Sequence, residues 1–386
     1  MSSDLEEKLK QYADLIVEAG LNLQPGQRLL IVAHSLDVAP LVRQAAASAY
    51  RGGCPLVSVK WHDEKLEKIR YQNAGRDSFE EFSAWEAEGA VKHIERGDAY
   101  LAIYGKNPEL LKDEDPELVA TAYKTNAKHY KPFADHIMKN SVQWTIVCPP
   151  TLDWATKVFP NEAPQDALNH LWEAVTKACR LDQPDPVQFW KQQVHHLGKR
   201  KNYLTEKQYT ALQFTGPGTN LKVGLVDNHI WFGGSNKTSA GISFSPNIPT
   251  EEVCTMPHKD KVEGTVAATK PLSFGGNLIE NFSLTFAEGK VVDFQAEKGE
   301  GTLRKLLETD EGANYLGEVA LVPHKTPISE LGTLFLNTLY DENASNHLAL
   351  GKAYRDMIEG GEEMSDEAFA AAGGNDSLTH DDFMFG

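Results

Sequence analysis

Seven residues from position 252 onward carry donors for divalent cations: Glu252, Glu318, Glu342, His347, Tyr354, His380 and Asp382. Carboxylate oxygen and imidazole nitrogen are the ligands that hard and borderline divalent ions take. Four carboxylates would balance the four positive charges of two such ions. Brought together, these groups would make a two-metal hydrolase, in which paired ions activate water and polarise a carbonyl.

The donors fall in four short runs, each with a plainer reading beside the chemical one. Asn247-Ile-Pro-Thr-Glu-Glu-Val253 reads alone as a helix start, with Thr250 as cap and both glutamates near the positive end of the helix dipole. A ligand there needs one of the two glutamates to turn inward. In Gly317-Glu-Val-Ala-Leu-Val322 a carboxylate abuts a strand-like apolar run. It is either an edge charge or, if the strand is buried, a group that must be paired or metal-bound. Asp341-Glu-Asn-Ala-Ser-Asn-His-Leu-Ala-Leu-Gly-Lys-Ala-Tyr354 is the richest run. Its spacing predicts a helix that puts His347 and Tyr354 on one face, with Glu342 on the entering loop and Ser345 as cap. Gly351 between them would allow close approach of another segment. The alternative is a core histidine and tyrosine. In Thr379-His-Asp-Asp-Phe-Met384 an extended strand would turn His380 and Asp382 the same way and Asp381 the other. The run also reads as a polar chain end.

The elements that must position these groups change in texture along the chain. The first half alternates helical and strand-like runs. Leu5–Ala19 and Val38–Tyr50 have helical spacing, while 28–33, 55–60, 99–104 and 144–148 are strand-like. This rhythm predicts an α/β domain over residues 1–184 with a mainly parallel sheet wrapped by helices. The first strand–helix turn, Ala33-His-Ser-Leu-Asp37, lacks the glycines of a dinucleotide fingerprint. His34 there reads as structural or merely exposed. Asp182-Gln-Pro-Asp-Pro186 reads as a linker between helices over 166–179 and 187–197. Beyond it, strands around Gly216-Pro-Gly218 and a hairpin at Ala287-Glu-Gly-Lys290 predict an α+β domain over 185–386 with a mainly antiparallel sheet. That domain holds every candidate ligand. The Gly-, Ala- and Glu-rich stretch 359–376 reads as a mobile loop.

The chain has 386 residues and a net charge of −17. That balance argues against nucleic acid, whose phosphates need clustered Lys and Arg. No apolar run approaches the ~20 residues that cross a bilayer, and the start is charged without an apolar signal core. Cys54, Cys148, Cys179 and Cys254 are scattered without a CxxC pair, which argues against a disulfide framework or structural zinc. A cytoplasmic protein is expected.

With all four runs in view, the chain resembles the thermophilic-type metallo-aminopeptidases, the group of aminopeptidase T, aminopeptidase S and PepS. Asp341-Glu-Asn-Ala-Ser-Asn-His-Leu-Ala-Leu-Gly351 is the most specific match, and the likeness spans nearly the whole chain. It implies a dinuclear site of zinc or cobalt, with magnesium as a third candidate. The ligands would be Glu252 (rather than Glu251), Glu318, Glu342, His347, Tyr354, His380 and Asp382. It also implies a homodimer enclosing a cavity, and short peptides as substrates that lose their N-terminal residue. Asn346 stands where the family usually has cysteine, Cys254 where it has phenylalanine, and His-Asp-Asp where it has His-Val-Asp. Family chains usually continue past the position of Gly386. Glu318 or Glu342 would serve as general base, with Glu318 preferred, and Tyr354 would ligate metal or bind the oxyanion. Two other readings use the same donors: a two-metal hydrolase of another amide or ester, and a metal-stabilised binding protein.

Overall fold

The computed structural model describes residues 3–107, 109–274 and 277–386. They form two compact units, residues 1–193 with 235–249 and residues 194–234 with 250–386. The helix Pro186–Lys207 continues through the junction, and the segment 235–249 joins the first unit.

The first unit carries β1 (Leu29–Ala33), β2 (Val57–Trp61), β3 (Ala99–Ile103) and β4 (Trp144–Val147), all parallel, in the order β2-β1-β3-β4. Leu29 to Ala33 are all buried, as a central parallel strand requires when helices cover both faces. Helices Ala39–Arg51, Ala84–Glu95 and Pro116–Met138 supply the crossovers. A ribbon of β7 (Asn236–Lys237) and β8 (Ser243–Phe244) completes the unit.

In the second unit β5 (Ala211–Gly216), β6 (Thr219–Leu225), β10 (Pro257–Ala267), β11 (Leu272–Phe274), β12 (Asn277–Ala287) and β13 (Lys290–Lys298) form an antiparallel sheet. The predicted hairpin is there. Glu288 and Gly289 both have positive φ (49° and 80°), the requirement of a two-residue type I′ turn. A second antiparallel sheet has the order β16-β15-β14-β9, from β9 (Val253–Thr255), β14 (Leu316–Leu321), β15 (His347–Gly351) and β16 (His380–Met384). Its inner face gives Leu316, Val319, Leu348, Leu350 and Phe383 to a core shared with Val266, Phe282 and Leu284 of the larger sheet. The expected loop 359–376 instead contains a helix, Asp366–Ala371. Ser365 caps it, and Phe369 anchors it in a second apolar cluster.

Candidate metal centre

The smaller sheet gathers the candidate ligands through its register. Residues directly opposite in an antiparallel pair share a face. Glu318, Ala349 and Asp382 lie in one cross-strand row, Cys254, Ala320 and His347 in the next, and Gly351 and His380 in a third. All of these look away from the core face. Alanines at 320 and 349 keep the floor between the polar side chains low. A bulge at Gly317 re-aims Glu318, because Leu316 pairs with Leu350 yet Glu318 pairs with Ala349. A β-carbon at Gly317 would stand 2.2 Å from the Lys352 carbonyl oxygen, so only glycine fits there.

Two of the local expectations need correction. Thr250 caps no helix; Glu251 and Glu252 lie in an extended segment that runs into β9. His347 to Gly351 form a strand, not a helix, and Ser345 ends the short 3-10 turn Glu342–Ala344 instead of starting a helix. The run His-Leu-Ala-Leu-Gly is buried on both faces, and sheet pairing on both edges outweighs its helical spacing. Tyr354 reaches the site after the chain leaves β15, and its ring lies against His380 at 4.8 Å. The strand readings of Glu318, His380 and Asp382 agree with the structure. Asp381 turns the other way and accepts from the Thr379 hydroxyl.

Two groups of three donors result, each compact enough to hold a cation, and Glu318 belongs to both. In the first, His347 Nε2 is 2.9 Å from Glu252 Oε2 and 3.7 Å from Glu318 Oε1. In the second, His380 Nε2 is 3.9 Å from Glu318 Oε2 and 3.6 Å from Asp382 Oδ1. Glu342, only 8 % exposed, sits in a short 3-10 turn within electrostatic reach of Glu252, Asp382 and His347.

The electrostatics call for a cation. Burial raises the Glu342 carboxyl well above its usual range, and Glu252 and Asp382 raise it further. Burial also raises Glu318, although His347 and His380 oppose it. Burial would lower His347, but Glu252 and Glu318 outweigh that and raise it. Among the described residues no Lys or Arg comes within ion-pair distance of these carboxylates. Both imidazoles are oriented by backbone carbonyls. His380 Nδ1 lies 2.7 Å from the Lys352 oxygen and His347 Nδ1 3.3 Å from that of Ser345. A carbonyl only accepts, so Nδ1 carries the hydrogen and Nε2 of each ring turns toward the carboxylates, where it holds a proton or offers its lone pair to a cation. Asp382 Oδ1 is buried and accepts no hydrogen bond. Lone pairs and carboxylates facing one another need protons or cations between them. The donor set therefore fits divalent metal.

Spacing gave no sign of two further residues. Asn343, fully buried, accepts the Glu251 backbone N–H on Oδ1 at 2.6 Å and donates from Nδ2 to the Leu339 carbonyl at 3.0 Å. It thereby ties the Glu252 segment to the turn that bears Glu342. Asp356 is held up at about 6 by burial, then by Glu362 and Glu318.

The profile of the thermophilic metalloproteases, M29, matches residues 5–386. The chain belongs to that family. It is 47% identical to Aminopeptidase 2 of Geobacillus stearothermophilus over 381 residues, covering 99% of this chain and 92% of the relative. It is 39% identical to Aminopeptidase PepS of Streptococcus thermophilus, with 99% and 93% covered. The solved structure of wild-type AmpT from Thermus thermophilus superposes with a TM-score of 0.93 at 42% identity, covering 98% of this chain and 92% of that one. This M29 member is thus a metal-dependent aminopeptidase, and its α/β and antiparallel parts are those of the solved relative.

Proposed function

We propose that the enzyme holds two divalent cations, zinc or cobalt, and removes the N-terminal residue from short peptides. Glu252 and His347 would serve one ion, His380 and Asp382 the other, with Glu318 shared and Glu342 and Tyr354 completing the set. The observation that carries this reading is that Glu318 belongs to both three-donor groups. Magnesium is the weaker candidate, because two imidazoles suit zinc or cobalt better than an oxygen-seeking ion.

When bound, the ions would supply Lewis acidity and bring the pKa of water from ~15.7 to about 7. The protein's own groups divide the remaining work. Both Glu318 oxygens face imidazoles, which supports a ligand role over the general-base role that the sequence favoured. Glu342 lies outside both groups, and a buried carboxyl beside them can take a proton from the attacking water and return it to the leaving amine. Tyr354 brings a hydroxyl to the site beside His380, which can donate to the developing oxyanion.

A homodimer and a cytoplasmic location complete the proposal. The first rests on the family likeness. The second rests on four buried cysteines with no disulfide among the described residues. Among the described residues no helix is long and apolar enough to cross a membrane.

His347→Ala should abolish hydrolysis of a leucyl anilide and lower bound metal per chain from two ions toward one. Full activity with unchanged metal content would refute the assignment. Parallel turnover of a nitrophenyl phosphate, without turnover of the anilide, would favour a different two-metal hydrolase.

A further inference from the structure

The first unit has a second set of chemically able side chains, at the carboxyl edge of its parallel sheet. The ladder continues one residue past each strand. His62 N–H donates to the Ala33 carbonyl (2.9 Å), His34 N–H to Ile103 (2.9 Å) and Tyr104 N–H to Val147 (2.8 Å). His62, His34 and Tyr104 are therefore neighbours in one row, and strand spacing of about 4.8 Å sets their rings in a stack. Ring centroids are 5.2 Å apart for His62 and His34 and 4.1 Å for His34 and Tyr104, with planes within 4°. Lys60, two residues before His62, shares its face. Lys106 lies two residues beyond Tyr104.

The position is the one where open parallel sheets receive ligands. In the order β2-β1-β3-β4 the chain reverses its direction of winding between β1 and β3, and the carboxyl edge at that switch point forms a crevice. Two buried polar atoms there make no hydrogen bond: His34 Nε2 and Thr151 Oγ1. Thr151 is only 4 % exposed and follows β4. Its methyl lies 3.0 Å from where a β-carbon on Gly105, the residue after Tyr104, would stand.

The charges around the row favour an anion. Lys60 Nζ is 2.5 Å from Glu86 and Lys106 Nζ 3.3 Å from Glu67. The imidazoles nevertheless sit in a positive field. His34 is held down at about 3, first by burial, then by His62, Lys106 and Lys60. His62 is lowered by burial and by both lysines, which outweigh Glu86 and Glu67. A metal cation would meet the same repulsion. We propose that this row is a binding site for a small oxyanion, a carboxylate or a phosphate, taken by the Thr151 hydroxyl, the His34 ring edge and the ammonium groups of Lys60 and Lys106. It shares no residue with the metal centre.

The test is NMR titration of histidine-labelled full chain, with His34→Gln used to assign signals. One arm adds inorganic phosphate and the other N-acetylglycine, a carboxylate whose amine is blocked. Saturable shifts of His34 and His62 are expected from at least one probe below ~10 mM, a Kd worth about 2.7 kcal/mol. The responding probe identifies the source as phosphoryl or carboxylate. Lys106→Gln should weaken binding at least ~10-fold, about 1.4 kcal/mol, and Lys106→Arg should retain it. Absence of saturable shifts with both probes, or equal binding by wild type and Lys106→Gln, would overturn the proposal.

Discussion

Asn343→Ala tests whether the metal centre depends on a residue that donates nothing to metal. The side chain accepts the Glu251 backbone N–H and donates to Leu339, and its second hydrogen reaches Glu342 Oε1 at 3.4 Å. Alanine leaves the Glu251 N–H buried without an acceptor, which costs roughly 1–3 kcal/mol, and removes the Leu339 bond, worth about 0.5–1.5 kcal/mol. A total of about 1.5–4.5 kcal/mol follows, read as a fall in the denaturant midpoint. The same change frees Glu252 and Glu342 to drift. Partners that orient ligands typically account for ~10–100-fold in metal affinity. Competition with a chromophoric chelator should therefore show affinity at least ~10-fold weaker. Asn343→Asp keeps the acceptor for Glu251 but turns a second oxygen toward Leu339 and Glu342, so it should not restore binding. Metal affinity within twofold of wild type in Asn343→Ala would refute the reasoning.

Two further substitutions probe the frame. Gly351→Ala should shift or detach β16, because Gly351 has φ 102° and a β-carbon there would stand 2.2 Å from the Thr379 carbonyl oxygen. Loss of bound metal and a lower melting temperature are expected, and an unchanged melting temperature would contradict the contact. Asp341 is held up at about 6 by burial, although the N–H groups of Phe335 and Asn337 donate to it. Its folded value exceeds the unfolded ~3.9, so its contribution to stability is greatest below about 4 and is lost as pH rises through about 6. Asp341→Asn should flatten that part of the stability–pH curve by roughly 2–3 kcal/mol. A wild-type slope in the variant would exclude Asp341 as its source.

Much of the first unit was legible because β1 and β3 are apolar throughout and helices such as Ala39–Arg51 are amphipathic. The donors could be picked out as residue types, but each run also had a plainer reading, and only the family likeness joined them into one set. Their local structure was less legible. The stretch from His347 to Tyr354 has helical spacing, and only the partners on both edges of β15 decide for a strand. No local pattern announces a partner more than 25 residues away in sequence. The same holds for Glu252, whose segment looks like a capped helix until β14 pairs with β9. Asn343 escaped notice because its function lies in a hydrogen bond to a residue 92 positions earlier. The row of rings beyond β1 escaped because His34, His62 and Tyr104 become neighbours only through parallel register.

The donors are strung from Glu252 to Asp382, and β16 closes the array from the edge. During synthesis the ribosome delivers His380 and Asp382 more than 30 residues after His347. A growing polypeptide thus has one half of the centre long before the other. Until β16 docks, the nascent enzyme lacks the donors of His380 and Asp382.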